Sequence, residues 1–96
     1  MSIRAMKLDL NSISIVYVEN DLHALQKAVG GHIETVGLKD GAVMIVDEEG
    51  MLKQYPHNDL ASYISEKHIY GIALIVGVDG EEFDDVPDQY YVWLGN

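Results

Sequence analysis

Residues 20–36 read NDLHALQKAVGGHIETV, and the way this stretch parses sets the reading of the whole chain. It has the form of a capped amphipathic helix, a two-glycine stop and a strand. Asn20 is placed to cap the helix by accepting from an unpaired first-turn amide. Asp21 then puts negative charge at the positive end of the helix dipole, and Lys27 puts a cation in the last turn. Leu22, Leu25 and Val29 fall on one apolar stripe with Ala28 beside it. Gly30 and Gly31 offer the left-handed residue that ends a helix without a Cβ clash. This stretch specifies a structure and carries no evident chemistry.

Upstream, residues 3–9 alternate loosely, and residues 12–18 (SISIVYV) alternate with β-branched side chains. With Asn11 and Ser12 as the turn between them, the two segments predict a hairpin. Downstream, residues 32–36 and 42–46 predict a second hairpin around Lys39, Asp40 and Gly41, because an Asp-Gly pair favours positive φ. Asp47, Glu48, Glu49 and Gly50 make a further turn, followed by a short strand at 51–54 that Pro56 ends. Residues 58–66 (NDLASYISE) predict a short helix capped by Asn58, with Asp59 in its first turn and Leu60, Ala61 and Ile64 facing inward. Residues 69–78 (IYGIALIVGV) are nearly continuous apolar, the mark of a central strand covered on both faces. Asp79 and Gly80 turn the chain into an acidic loop. Pro87 opens a final helix that buries Tyr91 or Trp93 with Leu94. There are no repeats and no linker. The expectation is one α+β domain over residues 1–96: a twisted, mostly antiparallel sheet of about five strands, the helix at 20–30 packed across one face, and two shorter helices. The apolarity of 69–78 asks for cover on the other face too, from the shorter helices or from a second copy in a homodimer.

Composition limits the chemistry. There is no cysteine, which excludes disulfides and thiolate metal sites. The first residues lack the 7–15-residue apolar core of a signal peptide. The apolar run at 69–78 is too short to span a bilayer. The expectation is a soluble, cytoplasmic protein with no membrane partner. Net charge is −10 and lies mostly in the second half of the chain, where Asp79, Glu81, Glu82, Asp84, Asp85 and Asp88 follow one another with no basic residue among them. Nucleic-acid binding relies on neutralising phosphates, so direct binding of DNA or RNA is excluded and a basic protein surface or a cation is favoured.

Motifs for catalysis are missing. His23, His32, His57 and His68 have neither the i, i+4 helical nor the i, i+2 strand spacing of metal ligands, so they are expected to be solvated, with no metal and no cofactor. The acidic stretch lacks the Asp-x-Asp-x-Asp-Gly order of a calcium loop. No Ser-His-Asp order or nucleophile elbow occurs, and Gly30 and Gly31 follow a helix where a phosphate-binding loop would precede one. Glu34 with Glu48 and Glu49 supply the carboxylates from which an acid/base pair could be built.

The words LQKAVGGHIETV, VDEEGMLKQYPHNDLA and YGIALIVGVDGEEF together resemble a family of small uncharacterised proteins, a domain of unknown function found in bacterial phages, plasmids and conjugative elements. The matching positions are Leu25, Gln26, Val29, Gly30, Gly31, Ile33 and Glu34, then Glu48, Glu49, Gly50 and Leu52, then Pro56 and Asn58, then Gly71, Ile75, Val76 and Gly77. They cover roughly residues 13–90. Asp47 departs from the family's usual Asn. The resemblance implies a fold and a genomic setting without a mechanism. Among the matched residues, Gln26, Glu34, Glu48 and Glu49 have no structural duty in this reading, which makes them ligand-binding candidates. Three functions stay open: an accessory protein that binds a basic surface on a host or element protein, in its sharper form mimicking nucleic acid with the six acids of 79–88; a small-ligand or cation-binding module built on Glu34 and the Glu48–Glu49 turn; and a small carboxylate-dependent enzyme.

Overall fold

The computed structural model describes residues 1–95. Period-2 alternation at the start of the chain produces the expected hairpin: β1 (Ser2–Leu8) pairs antiparallel with β2 (Ile13–Glu19), Ala5 opposite Val16 and Met6 opposite Ile15. The opening helix is shorter than the expected 20–30. It is α1 (Leu22–Val29), and its cap is Asp21, whose Oδ1 accepts from Ala24 N at 2.8 Å. Asn20 is committed elsewhere, its side-chain amide donating to Phe83 O at 3.0 Å. Leu25 and Val29 are buried, but Leu22 sits at the open first position of the helix and is exposed. Gly30 takes the left-handed conformation, φ 103°, and ends α1 with its N–H on Gln26 O.

The second hairpin joins β3 (Ile33–Gly37) to β4 (Ala42–Asp47), with Asp40 and Gly41 both at positive φ in the turn. The strand expected at 51–54 does not form. Met51 and Leu52 are exposed, so nothing holds that segment flat, and it curls so that Lys53 N bonds Glu49 O and Tyr55 N bonds Gly50 O. Asn58 caps α2 (Asp59–Ser65) as read, accepting from Ala61 N. It is also buried, with its amide donating to Leu8 O and Gly71 O, so one side chain fixes the helix, β1 and the segment before the central strand. The central strand is β5 (Ala73–Asp79), delayed relative to 69–78 by the left-handed Gly71. Part of the acidic segment expected to be a loop is instead β6 (Glu82–Asp84), antiparallel to the end of β5. The sheet therefore has six strands in the order β2-β1-β5-β4-β3, with β6 beside β5, and every pairing is antiparallel.

Both sheet faces are covered by the chain itself. Ile3, Ala5, Ile45, Leu74 and Val76 pack under α1. Met6, Leu8, Met44 and Ile75 form the other layer, closed by Ala61 and Ile64 of α2 and by a 3₁₀ helix at Asp88–Gly95. In that last helix the buried anchor is Tyr90, and Leu94 is exposed. At three residues per turn, positions 90 and 93 stand directly one above the other on the same side. Tyr90 donates to Lys39 O at 2.7 Å, and Trp93 meets Tyr63 edge-on at 6.0 Å. The fold is α+β, as the sequence pattern leads one to expect.

Candidate functional site

The six acids of the 79–88 segment are all exposed, but they do not act as one row. Asp79 lies opposite Glu82 across the β5–β6 ladder, and Asp84 lies opposite Gly77. Since alternate residues share a face, Asp79, Glu82 and Asp84 stand together on one side of this arm. Phe83 turns to the other side, into the layer beneath α1. Gly80, at φ 65°, makes the turn that carries Glu81. Asp85 and Asp88 are drawn back to β1: Asp85 Oδ1 accepts from Arg4 N at 2.8 Å, and Asp88 lies 3.9 Å from the Arg4 guanidinium. Gly77 is what lets the chain fold back here, because a Cβ at that position would collide with Asp85 O.

Asp47, where the family resemblance has Asn, forms a closed structural node. Its carboxylate is almost fully buried, 2.8 Å from Lys53 Nζ, and accepts from Glu49 N at 2.9 Å. Lys53 Nζ also donates to Gly30 O at 3.1 Å, tying the end of α1 to the turn after β4. Burial alone would raise the Asp47 pKa, but the hydrogen bonds from Lys53 and Glu49 N–H together with the lysine's charge outweigh it and hold the carboxyl below its ordinary range. The same hydrogen bond raises Lys53. A Cβ at Gly31 would stand 2.5 Å from Lys53 Nζ, so a larger residue there has to push the lysine head aside.

Of the ligand-binding candidates, Glu34 and Glu48 line one hollow of about 210 Å³ with Lys67 and His68. Gln26 and Glu49 do not line it. Gln26 belongs to α1, which packs on the opposite face of the sheet from Val36 and Val46 of that hollow.

The arrangement that sequence spacing missed lies along α2. His57 Nδ1 is 2.6 Å from Asp59 Oδ1, and His57 Nε2 is 3.1 Å from Ser62 Oγ and 3.2 Å from His68 Nδ1. The four line a cleft of about 340 Å³. Asp59, His57 and Ser62 thus stand in acid–base–hydroxyl order. However, Ser62 Oγ already accepts from Ile69 N at 2.8 Å, which makes the hydroxyl a tie between α2 and the following segment. No local spacing in the sequence announces His68, which the backbone pairing at Tyr70 brings in. A single antiparallel bridge pairs His57 with Tyr70, so residue 68 becomes the diagonal neighbour of 57. Next to this cleft, and sharing Ser62, Tyr63 and Glu66 with it, is a larger hollow, about 910 Å³, walled by Tyr63, Tyr90 and Trp93.

Fold and surface together define a small α+β domain with a sheet covered on both faces and an acidic hairpin arm. A family model for a domain of unknown function (DUF3846) matches residues 3–94, and the chain belongs to that family. No curated protein and no solved structure matches it. Among the described residues no helix is long and apolar enough to cross a membrane.

Proposed function

We propose that this chain is a non-enzymatic accessory protein of a phage or other mobile element, and that it binds a basic surface on a host or element protein through the β5–β6 arm. The observation that carries this reading is the like-charged pair Asp79–Glu82, set directly opposite across an antiparallel ladder with Asp84 next on the same face. Like charges so placed oppose each other and destabilise the pairing. A basic partner turns that local repulsion into attraction. The sharper form, mimicry of nucleic acid, rests on Glu82 and Asp84. As alternate residues of an extended strand their side chains recur at about 6.6 Å, close to the roughly 7 Å between alternate phosphates of one DNA strand. Asp79 and Glu81 do not continue that line, because Gly80 turns the chain between them.

A second reading has its own observation: Glu34 and Glu48 line a common hollow with a lysine and a histidine, suited to a small polar ligand or cation. One experiment separates the two. The tagged protein is used to capture a partner from host lysate across a salt series, with double-stranded DNA as competitor. The arm reading expects binding that falls steeply with salt, yields to DNA, and disappears in Glu82→Lys with Asp84→Lys while Glu34→Gln and Glu48→Gln bind normally. Loss in the Glu34 and Glu48 variants without salt dependence overturns it in favour of the hollow.

A further inference from the structure

His57 and His68 are both exposed in the α2 cleft, and the His57–Tyr70 bridge brings their rings within reach of each other. Their rings are 5.4 Å apart at 56°, and the nitrogens that face each other are His57 Nε2 and His68 Nδ1, 3.2 Å apart. The other side of His57 is fixed. An ionised carboxylate can only accept, so the 2.6 Å contact with Asp59 places a hydrogen on His57 Nδ1. In the neutral ring Nε2 then carries a lone pair directed into the cleft at His68 and at the Ser62 hydroxyl. An imidazole held by a carboxylate through one nitrogen, with the other presented as a lone pair, is how proteins orient a metal-ligating histidine. The separation also fits. An ion about 2.0–2.1 Å from each of two tetrahedral nitrogen ligands holds those nitrogens roughly 3.3–3.4 Å apart.

We propose that His57 Nε2 and His68 Nδ1 are a chelating pair for a borderline divalent transition metal, of the class of Zn²⁺, Ni²⁺ and Cu²⁺, with Asp59 as the carboxylate that orients His57. No group of three or more histidine or acidic ligands occurs among the described residues, so water completes the coordination and the affinity is modest. Imidazole pairs select this class over calcium or magnesium, which take oxygen ligands. The inference is independent of the acidic arm.

The test is a titration of the whole protein with Zn²⁺, and separately with Ca²⁺, followed by the imidazole resonances in NMR and by calorimetry. Zn²⁺ should shift the His57 and His68 resonances together at one equivalent, before those of His23 and His32, and Ca²⁺ should not. His57→Gln and His68→Gln should each lower Zn²⁺ affinity at least tenfold, Asp59→Asn should lower it severalfold at unchanged stoichiometry, and His23→Gln with His32→Gln should leave it unchanged. Circular dichroism of each variant confirms that it folds. The proposal is overturned if a folded His57→Gln, His68→Gln double variant binds Zn²⁺ as the parent does, or if the two rings do not respond to the metal, in which case a shared proton alone accounts for their approach.

Discussion

Gly30 and Gly31 are adjacent and constrained for different reasons. Gly30 holds φ 103°, and its added Cβ would also stand 2.8 Å from Tyr55 Oη. Gly30→Ala should therefore cost roughly 1 kcal/mol or more in thermal melts. Gly31 has an ordinary backbone, but its Cβ would displace the Asp47–Lys53 pair, so Gly31→Ala should destabilise by disturbing that contact. A neutral Gly31→Ala would show that the pair relaxes freely. Asp47 supplies a pH prediction. Its carboxyl lies below the ordinary value of 3.8, so its contribution is present above that value and is lost as pH falls through the folded pKa. Lys53 is raised above 10.5, so its contribution holds below that pH and is lost as pH rises through its folded pKa. Denaturant melts should show an acid limb below about pH 4 that is flatter in Asp47→Asn. That variant should lose about 1–3 kcal/mol at neutral pH from the weakened hydrogen bonds. At this scale the sequence was partly legible. The helix stop and the Asn58 cap could be read, because a left-handed residue and a capping side chain are local requirements. The Asp21 cap was misassigned to Asn20, because the pull on Asn20 comes from Phe83, sixty-three residues away.

Elements were legible where one face meets a core. The first hairpin follows from alternation and the second from its Asp-Gly turn, and both pair antiparallel. The stretch at 51–54 broke the rule because its apolar residues, Met51 and Leu52, are solvent-facing. Strand β6 was hidden for the opposite reason: only Phe83 of its three residues turns to the core, and the flanking acids make it read as a loop. The candidate acids could be listed from the sequence but not placed on a face, since that depends on the register of β6 against β5. This register yields a prediction with opposite signs for stability and binding. Replacing Glu82 by lysine converts a like-charged cross-strand pair into an attractive one and should raise stability by about 0.2–1 kcal/mol. In the proposed reading it abolishes partner binding. A melt that moves down with Glu82→Lys would show that the arm's charge is structural. The 3₁₀ helix offers a companion test. Tyr90→Phe removes only the bond to Lys39 O and should cost about 1 kcal/mol in a melt, with the fold retained.

For the whole molecule, the question raised by the apolar run at 69–78 changes once both faces are filled. Residues 73–76 are buried by the chain's own α1 on one side and by α2 with the 3₁₀ helix on the other, so the run itself needs no second copy. Self-association through the sheet would have to use an open edge, and β2 is such an edge, with Tyr17 72% exposed on it. Two copies of this chain each carry −10, so their approach is opposed by charge. A basic partner is drawn in by the same charge. Salt shortens the Debye length to about 10 Å at 0.1 M, less than any dimension of the 31 × 31 × 20 Å molecule. Screening must then act in opposite directions on the two associations. A homodimer through β2 should tighten as salt is added and weaken in Tyr17→Lys, read as weight-average mass by sedimentation equilibrium over a hundredfold range of protein concentration. Binding of a basic protein through the acidic arm should loosen over the same salt series and ignore the Tyr17 change. A strictly monomeric chain at every salt and concentration removes the dimer, and a partner complex indifferent to salt removes the electrostatic account of the arm, because contacts between exposed charges cannot escape screening.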